Sequence, residues 1–501
     1  MNAKLTLLIL GFVTINNSSC ASARSSQFTS GTTEPAGIYG DYNRNGVIDE
    51  GDRASGIWDW NSGGAFMMAD IVDANKNKIP DFMDFGPRTP AMLKQFVPLK
   101  IDRTGTFTFT HNGGQHVLVY KEDGSSEVKS GSQVEGPTTL MVAAKYFAGM
   151  NSFSGYVNFR IDGASVSDNT TFRVAPWIML PNAAMTKKLY IADGPYRDAH
   201  LLKESLQPFV NVQVFGTSMW QEMWMQDTIE IGYQEVPGKG IQYAALQADR
   251  CDDKECDHFA PTLLSESFGV FRIPAHPRKG YGAWDDWFGN LEVSPATPKW
   301  PLGRIYFGKN LNENLANILR QQEVQSPFVI DPTWLLIKHV DEFLNFVVDA
   351  EGNAKMIVAS PQLASKLGGT PLSAQNANIQ VRVDRDVNIA LNALGMSPSD
   401  VIRFPVLYGA GGENLWSSPI NSVHLNRTVA VGNTGQNGPG TLKSSPYGKS
   451  IEEGFAQAGI KTLWVDDRAY QPNHGNVHCG TNTLKEPAKT SFWRLNFNSK
   501  N

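Results

Sequence analysis

The chain has 501 residues, a formal net charge of −5 and 41% hydrophobic residues. That length predicts two to four domains of roughly 150 residues each, and the hydrophobic fraction is typical of folded domains with large cores rather than of disordered chains. The mildly acidic net charge argues against a basic surface that would bind nucleic acid. Beyond the first residues no apolar run is long enough to span a bilayer. We therefore expect neither a nucleic-acid partner nor a transmembrane segment.

The N-terminal residues have the pattern of a secretory signal peptide. Lys4 precedes an apolar run over residues 5–15, and polar residues then lead to the small-residue motif Ala21-Ser22-Ala23. This arrangement predicts a signal peptide over residues 1–23 and a secreted or periplasmic protein. Cleavage before Cys20 with lipidation is an alternative that would anchor the protein to a membrane, but the polar residues that precede this cysteine do not favour it.

The cysteines predict one free thiol. Beyond the predicted leader only Cys251, Cys256 and Cys479 remain. Cys251 and Cys256 are close enough in sequence to form a disulfide in an oxidising compartment, and that pairing would leave Cys479 unpaired. So small a number of cysteines excludes a disulfide-rich scaffold.

Two segments rich in Asp and Asn have the rhythm of calcium-binding loops. The first starts at Asp41 and has oxygen side chains at loop positions 1, 3, 5, 9 and 12, with Gly46 at position 6, where a calcium loop turns. The second starts at Asp73 and repeats the pattern with Lys78 in place of the glycine. A pair of Asx-rich surface turns is the alternative, but two copies in register favour calcium, a hard cation that oxygen ligands suit. The predicted ligands are Asp41, Asn43, Asn45, Asp49 and Asp52 in the first loop and Asp73, Asn75, Asn77, Asp81 and Asp84 in the second.

The predicted fold class changes once along the chain. Short segments that alternate apolar and polar residues, such as 156–161, are separated by turn residues, which is typical of a β-sandwich. After Pro176, strand-like runs alternate with helix-like ones such as 312–323, which predicts an α/β domain. We therefore expect an all-β domain over residues 32–175 that contains the calcium loops, and an α/β domain over residues 176–501.

Cys479 lies in the tract His474-Gly475-Asn476-Val477-His478-Cys479-Gly480. Glycine beside a cysteine lets the backbone turn sharply and leaves the sulfur accessible. A neighbouring imidazolium lowers the pKa of a thiol and so favours the reactive thiolate. The alternative is a small buried cysteine in a loop, so the tract predicts a nucleophile only if other segments supply the remaining catalytic groups.

Two other tracts supply such groups. One places Asp227 and Glu230 inside an apolar run, where carboxylates are costly unless a cation pairs with them. The other places His339 and Asp341 on a predicted strand, where side chains two residues apart share a face. Two aspartates, a histidine and a cysteine are the set that attacks a guanidinium carbon. The carboxylates hold the cation, the thiolate adds to the carbon, and the histidine protonates the departing ammonia and then activates water.

Together these tracts resemble the protein-arginine deiminase family. The sequence is close to motifs of this family at residues 172–182, 288–295, 301–304 and 339–343. The similarity runs in one order over residues 37–500. The resemblance implies a multidomain protein in which an immunoglobulin-like β-sandwich is followed by a five-bladed α/β-propeller, the pentein fold.

The resemblance also implies a role for each site residue. Asp227 and Asp341 would bind the guanidinium group, His339 would be the acid and base, and Cys479 would be the nucleophile. Trp224 would line the arginine side chain. A catalytic-domain calcium would be held by the side chains of Gln226, Glu230 and Glu292 and by the carbonyls of Phe288 and Leu291.

Two residues depart from the family pattern. Arg250 is the one arginine found where the family has two that grip the substrate backbone, so it is the predicted residue for backbone binding. Thr228 stands where animal members have an acidic ligand for a second catalytic-domain calcium, which puts that second ion in doubt.

The predicted function is a calcium-dependent hydrolase that converts peptidyl-arginine to peptidyl-citrulline and ammonia through a cysteine thiouronium intermediate. Its partners would be arginine-containing proteins or peptides, and the sequence does not indicate an oligomeric state. One alternative is a pentein hydrolase that acts on free arginine or agmatine. Another is a catalytically dead, calcium-stabilised binding protein, against which the complete set of catalytic residues argues.

Overall fold

The computed structural model describes seven stretches of the chain, namely residues 37–53, 58–193, 199–215, 223–248, 259–273, 287–435 and 442–495. The predicted signal peptide, Cys20, Arg250, Cys251 and Cys256 lie outside these residues, so what was expected of them stays a prediction. Among the described residues Cys479 is a free thiol.

The first sheet is built from strands whose side chains alternate between core and solvent. In the strand Tyr156–Asp162 every second residue, Val157, Phe159 and Ile161, is fully buried, which is the period of a strand with one face on the core. The segment predicted over 156–161 is thus confirmed as a strand. The strands of this sheet are β1 Ile38–Tyr39, β2 Ala65–Met67, β3 Val97–His111, β4 Val117–Lys121, β5 Ser132–Ala144, β6 Tyr156–Asp162 and β7 Ser167–Val174.

These seven strands are hydrogen-bonded into one sheet, in the order β2-β7-β6-β3-β5-β4 with β1 beside β3. The β2–β7 pair is parallel and the other pairs are antiparallel. The long strands β3 and β5 change register between Ile101 and Gly105. An immunoglobulin-like arrangement of these strands stays a prediction.

The rest of the described chain alternates strands and helices, as expected for an α/β fold. Its strands are β8 Ile178–Met179, β9 Thr186–Ala192, β10 Asn211–Phe215, β11 Ile229–Val236, β12 Gly240–Gln247, β13 Phe268–Arg272, β14 Leu291–Val293, β15 Ile305–Gly308, β16 Phe328–Ile330, β17 Leu344–Val348, β18 Ala354–Ser360, β19 Val401–Pro405, β20 Val423–Leu425, β21 Thr428–Gly432, β22 Lys461–Val465 and β23 Thr481–Lys485. The α-helices are α1 Pro90–Leu93, α2 Ala199–Leu206, α3 Phe259–Leu263, α4 Glu313–Gln321, α5 Pro361–Gly368, α6 Ala374–Leu394 and α7 Pro446–Gln457.

These later strands form five small sheets with one repeated connectivity. In each, an antiparallel pair is followed by a helical connection and a third strand parallel to the second. We call these units modules and number them by their strands: module 1 is β23-β9-β10, module 2 is β11-β12-β13 with β8 at its edge, module 3 is β14-β15-β16, module 4 is β17-β18-β19 and module 5 is β20-β21-β22. Module 1 takes its first strand, β23, from the C-terminal end of the described chain, where it pairs with β9.

The helices start and stop where their sequences predict. In α4 the Asn312 side chain accepts a hydrogen bond from the backbone N–H of Asn314, and Leu315, Ile318 and Leu319 form one buried face. The helix predicted near residues 312–323 is therefore confirmed. The described helices are each too short or too polar to cross a membrane.

The first sheet and the modules share a continuous core. Strand β7 ends at Val174 and β8 begins at Ile178, so the change from one sheet to the five modules falls between them. Buried glutamines join the two parts: Gln234 of β11 exchanges two hydrogen bonds, of 2.9 and 2.8 Å, with the backbone of Ala69, and Gln322 accepts one of 2.9 Å from the backbone of Trp177. Because a buried amide must satisfy both its donor and its acceptor, these contacts set the registry between the sheet and the modules.

Candidate active site

The predicted catalytic residues stand at equivalent places in different modules. Asp227 lies two residues before β11 and Cys479 two residues before β23, while His339 and Asp341 precede β17. Each of these strands is the first of its module, so the segments that lead into the modules converge on one point. The side chains of Asp227, His339, Asp341 and Cys479 are 3%, 0%, 0% and 5% exposed, which makes the site a buried one.

In module 3, the backbone at Gly289 comes close to the predicted catalytic side chains. Gly289 lies in the 3-10 turn Phe288–Asn290 before β14, and its backbone N–H donates to Asp227 Oδ1 over 3.3 Å. A β-carbon on Gly289 would come within 2.5 Å of His339 Nδ1 and 3.3 Å of Asp341 Oδ1. The absence of a side chain here is therefore required for the histidine and the two carboxylates to surround one space.

Distances between the catalytic groups are short. His339 Nδ1 lies 3.7 Å from Asp227 Oδ1, and Cys479 Sγ lies 3.8 Å from Asp341 Oδ2. Asp341 Oδ1 accepts no hydrogen bond in the described structure although it is buried. A buried carboxylate oxygen without a donor is a strong acceptor for an incoming cation.

The predicted strand at His339 is wrong. The chain instead forms a 3-10 turn over Val340–Glu342, closed by the hydrogen bond from the Phe343 N–H to the Val340 carbonyl, and β17 begins only at Leu344. Lys338 enters this turn with a φ of 66°, in the left-handed region. The turn, rather than the alternation of a strand, brings His339 and Asp341 to the same space.

The expected effect of the histidine next to the nucleophile is also corrected. His478 directs its ring away from the thiol: Nδ1 is 2.8 Å from Asp341 Oδ2 and Nε2 is 3.4 Å from Glu292 Oε1. Burial, and then the negative charges of Asp341 and Asp227, raise the pKa of the Cys479 thiol well above its ordinary value. A positive charge near the two carboxylates would act in the opposite direction and favour the thiolate.

The predicted ligands of the catalytic-domain calcium lie beside this site. Gln226 donates to Glu230 Oε2 over 2.9 Å, and the backbone N–H of Gln226 donates to the Cys479 carbonyl over 3.2 Å. Burial raises the pKa of Glu230 well above its ordinary value, and burial raises that of Glu292 to about 8 against the attraction of His478. Glu292 Oε1 accepts no hydrogen bond in the described structure. Oxygen donors of this kind, buried and short of partners, fit a calcium ion.

The residues predicted to supply carbonyl ligands lie at the entry to β14: Phe288 is the first residue of the 3-10 turn, Leu291 is the first residue of the strand, and both are fully buried. A lysine completes the surroundings. Lys485 is 1% exposed and donates to the carbonyl of Asn182, the hydroxyl of Thr186 and the carbonyl of His424 over 2.6, 2.8 and 3.0 Å. Burial lowers the pKa of Lys485 to about 7, against the attraction of Glu292 and Glu230.

Trp224 and Thr228, which were also singled out from the sequence, both make contacts in the described structure. Trp224 is half-buried, and its ring lies against Gly475, where a β-carbon would come within 2.3 Å of the ring. The Thr228 hydroxyl donates to the Met225 carbonyl over 2.9 Å, so it closes a local turn. The Thr228 hydroxyl therefore stabilises this turn, which an ionised acidic side chain could not do because it has no proton to donate.

The two predicted calcium loops share a hydrogen-bond pattern in their first six positions. In both, the side chain of position 1, Asp41 or Asp73, accepts hydrogen bonds from the backbone N–H groups of positions 5 and 6. Gly46 has a φ of 89° and Lys78 a φ of 72°, so the lysine adopts the left-handed turn that the glycine adopts more easily. The departure from glycine therefore does not prevent the second loop from taking the geometry of the first.

Sequence reasoning missed Asn421, which lies two residues before β20 of module 5 and is 1% exposed. Its amide contacts both Cys479 and Asp341. The buried roles of His478, Glu342 and Lys485 were also missed. Asn421 lies near Ser417, Ser418 and Ser422, and such a polar segment has no apolar periodicity that would predict burial. The sequence did carry a signal for His478, because this residue directly precedes Cys479.

Comparisons with known proteins give one family. The family model described as "Protein-arginine deiminase (PAD)" matches residues 164–369 and 365–494, which together span more than half of the chain. Mouse protein-arginine deiminase type-1 is 23% identical over 544 residues, covering 90% of this chain and 81% of the relative. Human protein-arginine deiminase type-4 is 26% identical over 393 residues, covering 66% of this chain and 57% of the relative.

Among solved structures, a C. jejuni agmatine deiminase is 11% identical with a TM-score of 0.42, covering 62% of this chain and 97% of that one. A second structure, a putative peptidyl-arginine deiminase, is 13% identical with a TM-score of 0.42 and similar coverage, 62% and 99%. The family assignment depends on the sequence match over residues 164–494, which includes all four predicted catalytic residues. The chain therefore belongs to the protein-arginine deiminase family of hydrolases.

Proposed function

We propose that this protein is a calcium-dependent protein-arginine deiminase that hydrolyses peptidyl-arginine to peptidyl-citrulline and ammonia. One observation supports this most directly: a buried cysteine lies 3.8 Å from one of two buried aspartates, and the histidine lies 3.7 Å from the other. Because burial and both carboxylates oppose thiolate formation, the site is suited to a substrate that is itself a cation.

The residues divide the reaction as follows. Asp227 and Asp341 accept hydrogen bonds from the guanidinium N–H groups and neutralise its charge. The positive charge lowers the pKa of Cys479, whose thiolate then adds to the guanidinium carbon and forms a C–S bond. His339 donates a proton to the departing nitrogen, the C–N bond breaks and ammonia leaves.

Water completes the turnover. The thiouronium that remains has a planar carbon bonded to sulfur, and His339, now neutral, takes a proton from the attacking water. The hydroxyl group bonds to the carbon, the C–S bond breaks with its electron pair, and the sulfur departs as thiolate. The proton left on the new oxygen is released to solvent, so that a C=O bond remains. The product is a urea group, that of citrulline, which is neutral and is released because it no longer pairs with Asp227 and Asp341.

Calcium is proposed at the catalytic site because the residues there fit it. Glu230, Glu292 and Gln226 offer oxygen donors that are at least nine-tenths buried, and Glu292 Oε1 lacks a hydrogen bond in the described structure. A bound calcium would supply positive charge that lets these acids ionise together. Gln226 adjoins Asp227 and its N–H bonds to the Cys479 carbonyl, so an ordered Gln226 orders both neighbours.

Calcium is also proposed at the two loops of the first sheet. Close to the second loop, Asp70 is fully buried and neither of its carboxylate oxygens accepts a hydrogen bond in the described structure. Arg88 lies 3.5 Å away, but burial still raises the pKa of Asp70 to about 8 and that of Asp81 to about 6. A cation bound by the second loop would compensate these carboxylates, which plain surface turns would not need.

The fold is proposed to be a five-bladed α/β-propeller preceded by an immunoglobulin-like β-domain. The five modules of one connectivity support the first part, and the leading segments that meet at the catalytic residues support a ring of modules around the site. Closure of module 1 by β23 joins the two ends of such a ring.

A citrulline assay on three substrates tests the proposed function. A blocked arginine peptide, free arginine and agmatine are each incubated with the protein in calcium or in excess chelator, with Cys479→Ser as the inactive control. We expect product only from the peptide and only with calcium. Turnover of free arginine or agmatine in preference to the peptide would replace the proposed substrate, and activity in chelator would remove the calcium requirement. Failure of wild type to act on any of the three would favour the binding-protein alternative.

A further inference from the structure

Four of the five modules supply a predicted site residue just before their first strand. Asp227 precedes β11, Phe288 and Leu291 flank the turn into β14, Asp341 precedes β17 and Cys479 precedes β23. Module 5 has no predicted residue at this place. The residue two positions before β20 is Asn421, and the geometry places it at the reacting atoms.

The Asn421 amide makes three hydrogen bonds to the catalytic groups. Its Nδ2 donates to Cys479 Sγ over 3.1 Å and to Asp341 Oδ2 over 2.7 Å, and its Oδ1 accepts the backbone N–H of Cys479 over 3.2 Å. An amide nitrogen has two N–H groups, so each acceptor can receive one of them. The orientation of the amide is determined by these partners, because a reversed amide would oppose its oxygen to a carboxylate and its N–H to another N–H.

The segment that carries Asn421 is held rigidly. Residues 416–425 are all buried. The Ser418 N–H donates to the Asn476 side chain over 3.0 Å and the Ser418 hydroxyl donates to the Glu342 carbonyl over 3.3 Å, while the Ser422 carbonyl accepts from Asn182 over 3.2 Å. The amide therefore does not rotate freely, and its donors stay directed at the sulfur whether or not a substrate is present.

We propose that Asn421 is a further catalytic residue: its amide N–H holds the Cys479 sulfur and stabilises it as thiolate, while the second N–H holds Asp341 in place for the guanidinium. This inference rests on the proposed deiminase reaction. The N–H bond to sulfur acts twice. It stabilises the negative charge on sulfur before the C–S bond forms, and it does so again when water displaces the thiolate and the electron pair of the C–S bond returns to sulfur.

The test variant is Asn421→Leu, which keeps the branched shape of the side chain and removes both donors. The matched control is Asn182→Ala, which removes a hydrogen bond to the same segment through Ser422 but touches no reacting atom. With a blocked arginine peptide at saturating calcium, we expect Asn421→Leu to lower kcat by about 100-fold, comparable to loss of one preorganised donor. KM should change by less than about fivefold, because the guanidinium charge is still met by both aspartates.

A second measurement does not depend on turnover. Iodoacetamide alkylation of the peptide that contains Cys479 is followed by mass spectrometry at one neutral pH, without substrate or calcium. We expect alkylation in Asn421→Leu to be at least about tenfold slower than in wild type and in Asn182→Ala, because the thiolate has lost its side-chain donor. Equal alkylation rates in the three proteins, or a kcat of Asn421→Leu within about threefold of wild type, would overturn the proposal.

The two readouts keep this proposal separate from the deiminase assignment. If wild type produces no citrulline while Asn421→Leu still slows alkylation, the proposed function fails and the contact of Asn421 with the thiol stands. If Asn421→Leu does not fold, as judged by circular dichroism, Asn421→Asp replaces it. That variant has the same shape and adds a carboxylate beside Asp341, so it should reduce both kcat and alkylation at least as strongly, and near-normal values would refute the assignment.

Discussion

At the scale of single residues, the site is built so that its nucleophile responds to charge. The Cys479 sulfur is buried beside Asp341 and Asp227, and Asp341 Oδ1 has no donor in the described structure. A guanidinium group between the two carboxylates removes the repulsion and at the same time places its carbon near the sulfur. In the proposed mechanism, substrate binding and activation of Cys479 are therefore one electrostatic event.

The first prediction concerns the charge of Asp341. Asp341 is the largest electrostatic cause, after burial, of the raised pKa of Cys479, so Asp341→Asn should lower that pKa. The pH at which alkylation of Cys479 becomes half-maximal should therefore fall in the substrate-free variant, even though turnover is lost. The loss in kcat/KM should correspond to about 2–5 kcal/mol, the cost of removing one partner from a buried charge pair.

Alkylation of the Cys479 peptide across a pH series measures this prediction, with Asp466→Asn as the control. Asp466 pairs with Arg468 at the surface and is not among the charges that raise the pKa of the Cys479 thiol, so its variant should follow wild type. A half-maximal pH for Asp341→Asn equal to or above that of wild type would contradict the electrostatic account.

The second prediction concerns the calcium ligands. Glu292→Gln keeps an oxygen donor but loses the charge, so the calcium concentration for half-maximal citrulline production should rise while the rate at saturation largely recovers. Glu453→Gln, on the exposed face of α7, serves as the control. Calcium titrations of wild type and both variants measure the effect. An unchanged calcium requirement in Glu292→Gln would leave Glu292 with a structural role.

At the scale of elements, turns rather than strands position the site and the predicted calcium loops. Each catalytic residue lies in the segment before the first strand of a module, and the two Asp-rich loops share a hydrogen-bond pattern although one has glycine and the other lysine at position 6. Side-chain oxygens that accept backbone N–H groups keep such turns in shape without an ion. Binding of an ion would then require little rearrangement of the loop backbone, which favours affinity.

The third prediction tests the loops. Asp41→Ala combined with Asp73→Ala should lower the melting temperature in calcium but have a much smaller effect in chelator, because an ion that binds the folded state alone stabilises it by about 3 kcal/mol at 100 times its Kd. Asp123→Ala is the control, since Asp123 closes an ordinary turn through the Ser125 N–H. A melting temperature of wild type that does not respond to calcium would favour plain Asx turns.

At the scale of the whole molecule, the site depends on closure of the chain. Strand β23 follows Cys479 directly and pairs with β9, so the nucleophile is placed by contact between the two ends of the modular region. Lys485 at the end of β23 reinforces this closure through its bonds to Asn182, Thr186 and His424. Three segments far apart in sequence are thus joined at one buried ammonium group.

The fourth prediction follows from this closure. Lys485→Met leaves three buried acceptors without their donor, and we expect the free energy of unfolding to fall by roughly 2–4 kcal/mol. Lys188→Met is the matched control, because Lys188 is on β9 of the same sheet but is half-buried, and its ammonium group donates to the Gln213 side chain over 3.2 Å. Urea denaturation of the two variants measures the difference. Equal stability of Lys485→Met and wild type would show that β23 is held by its backbone pairing alone.

The sequence by itself determined the family of the chain and much of its local structure, and it predicts the chemistry of the site. The residue types of Asp227, His339, Asp341 and Cys479 indicate reaction at a guanidinium carbon, and alternation and helix caps located strands such as β6 and helices such as α4. These signals are local, since a strand or a cap depends on residues a few positions apart.

Only the tertiary structure decided which groups surround the nucleophile. Asn421 is 58 positions from Cys479 and His478 is 137 positions from Asp341, so no local pattern relates them. The direction of the thiol pKa also reversed: the neighbouring histidine suggested a lowered value, but burial and two carboxylates from other modules raise it. A pKa depends on the distances between charges and on the burial of the group. Here both follow from the way the modules converge on the site, and the sequence does not display the repetition of these modules.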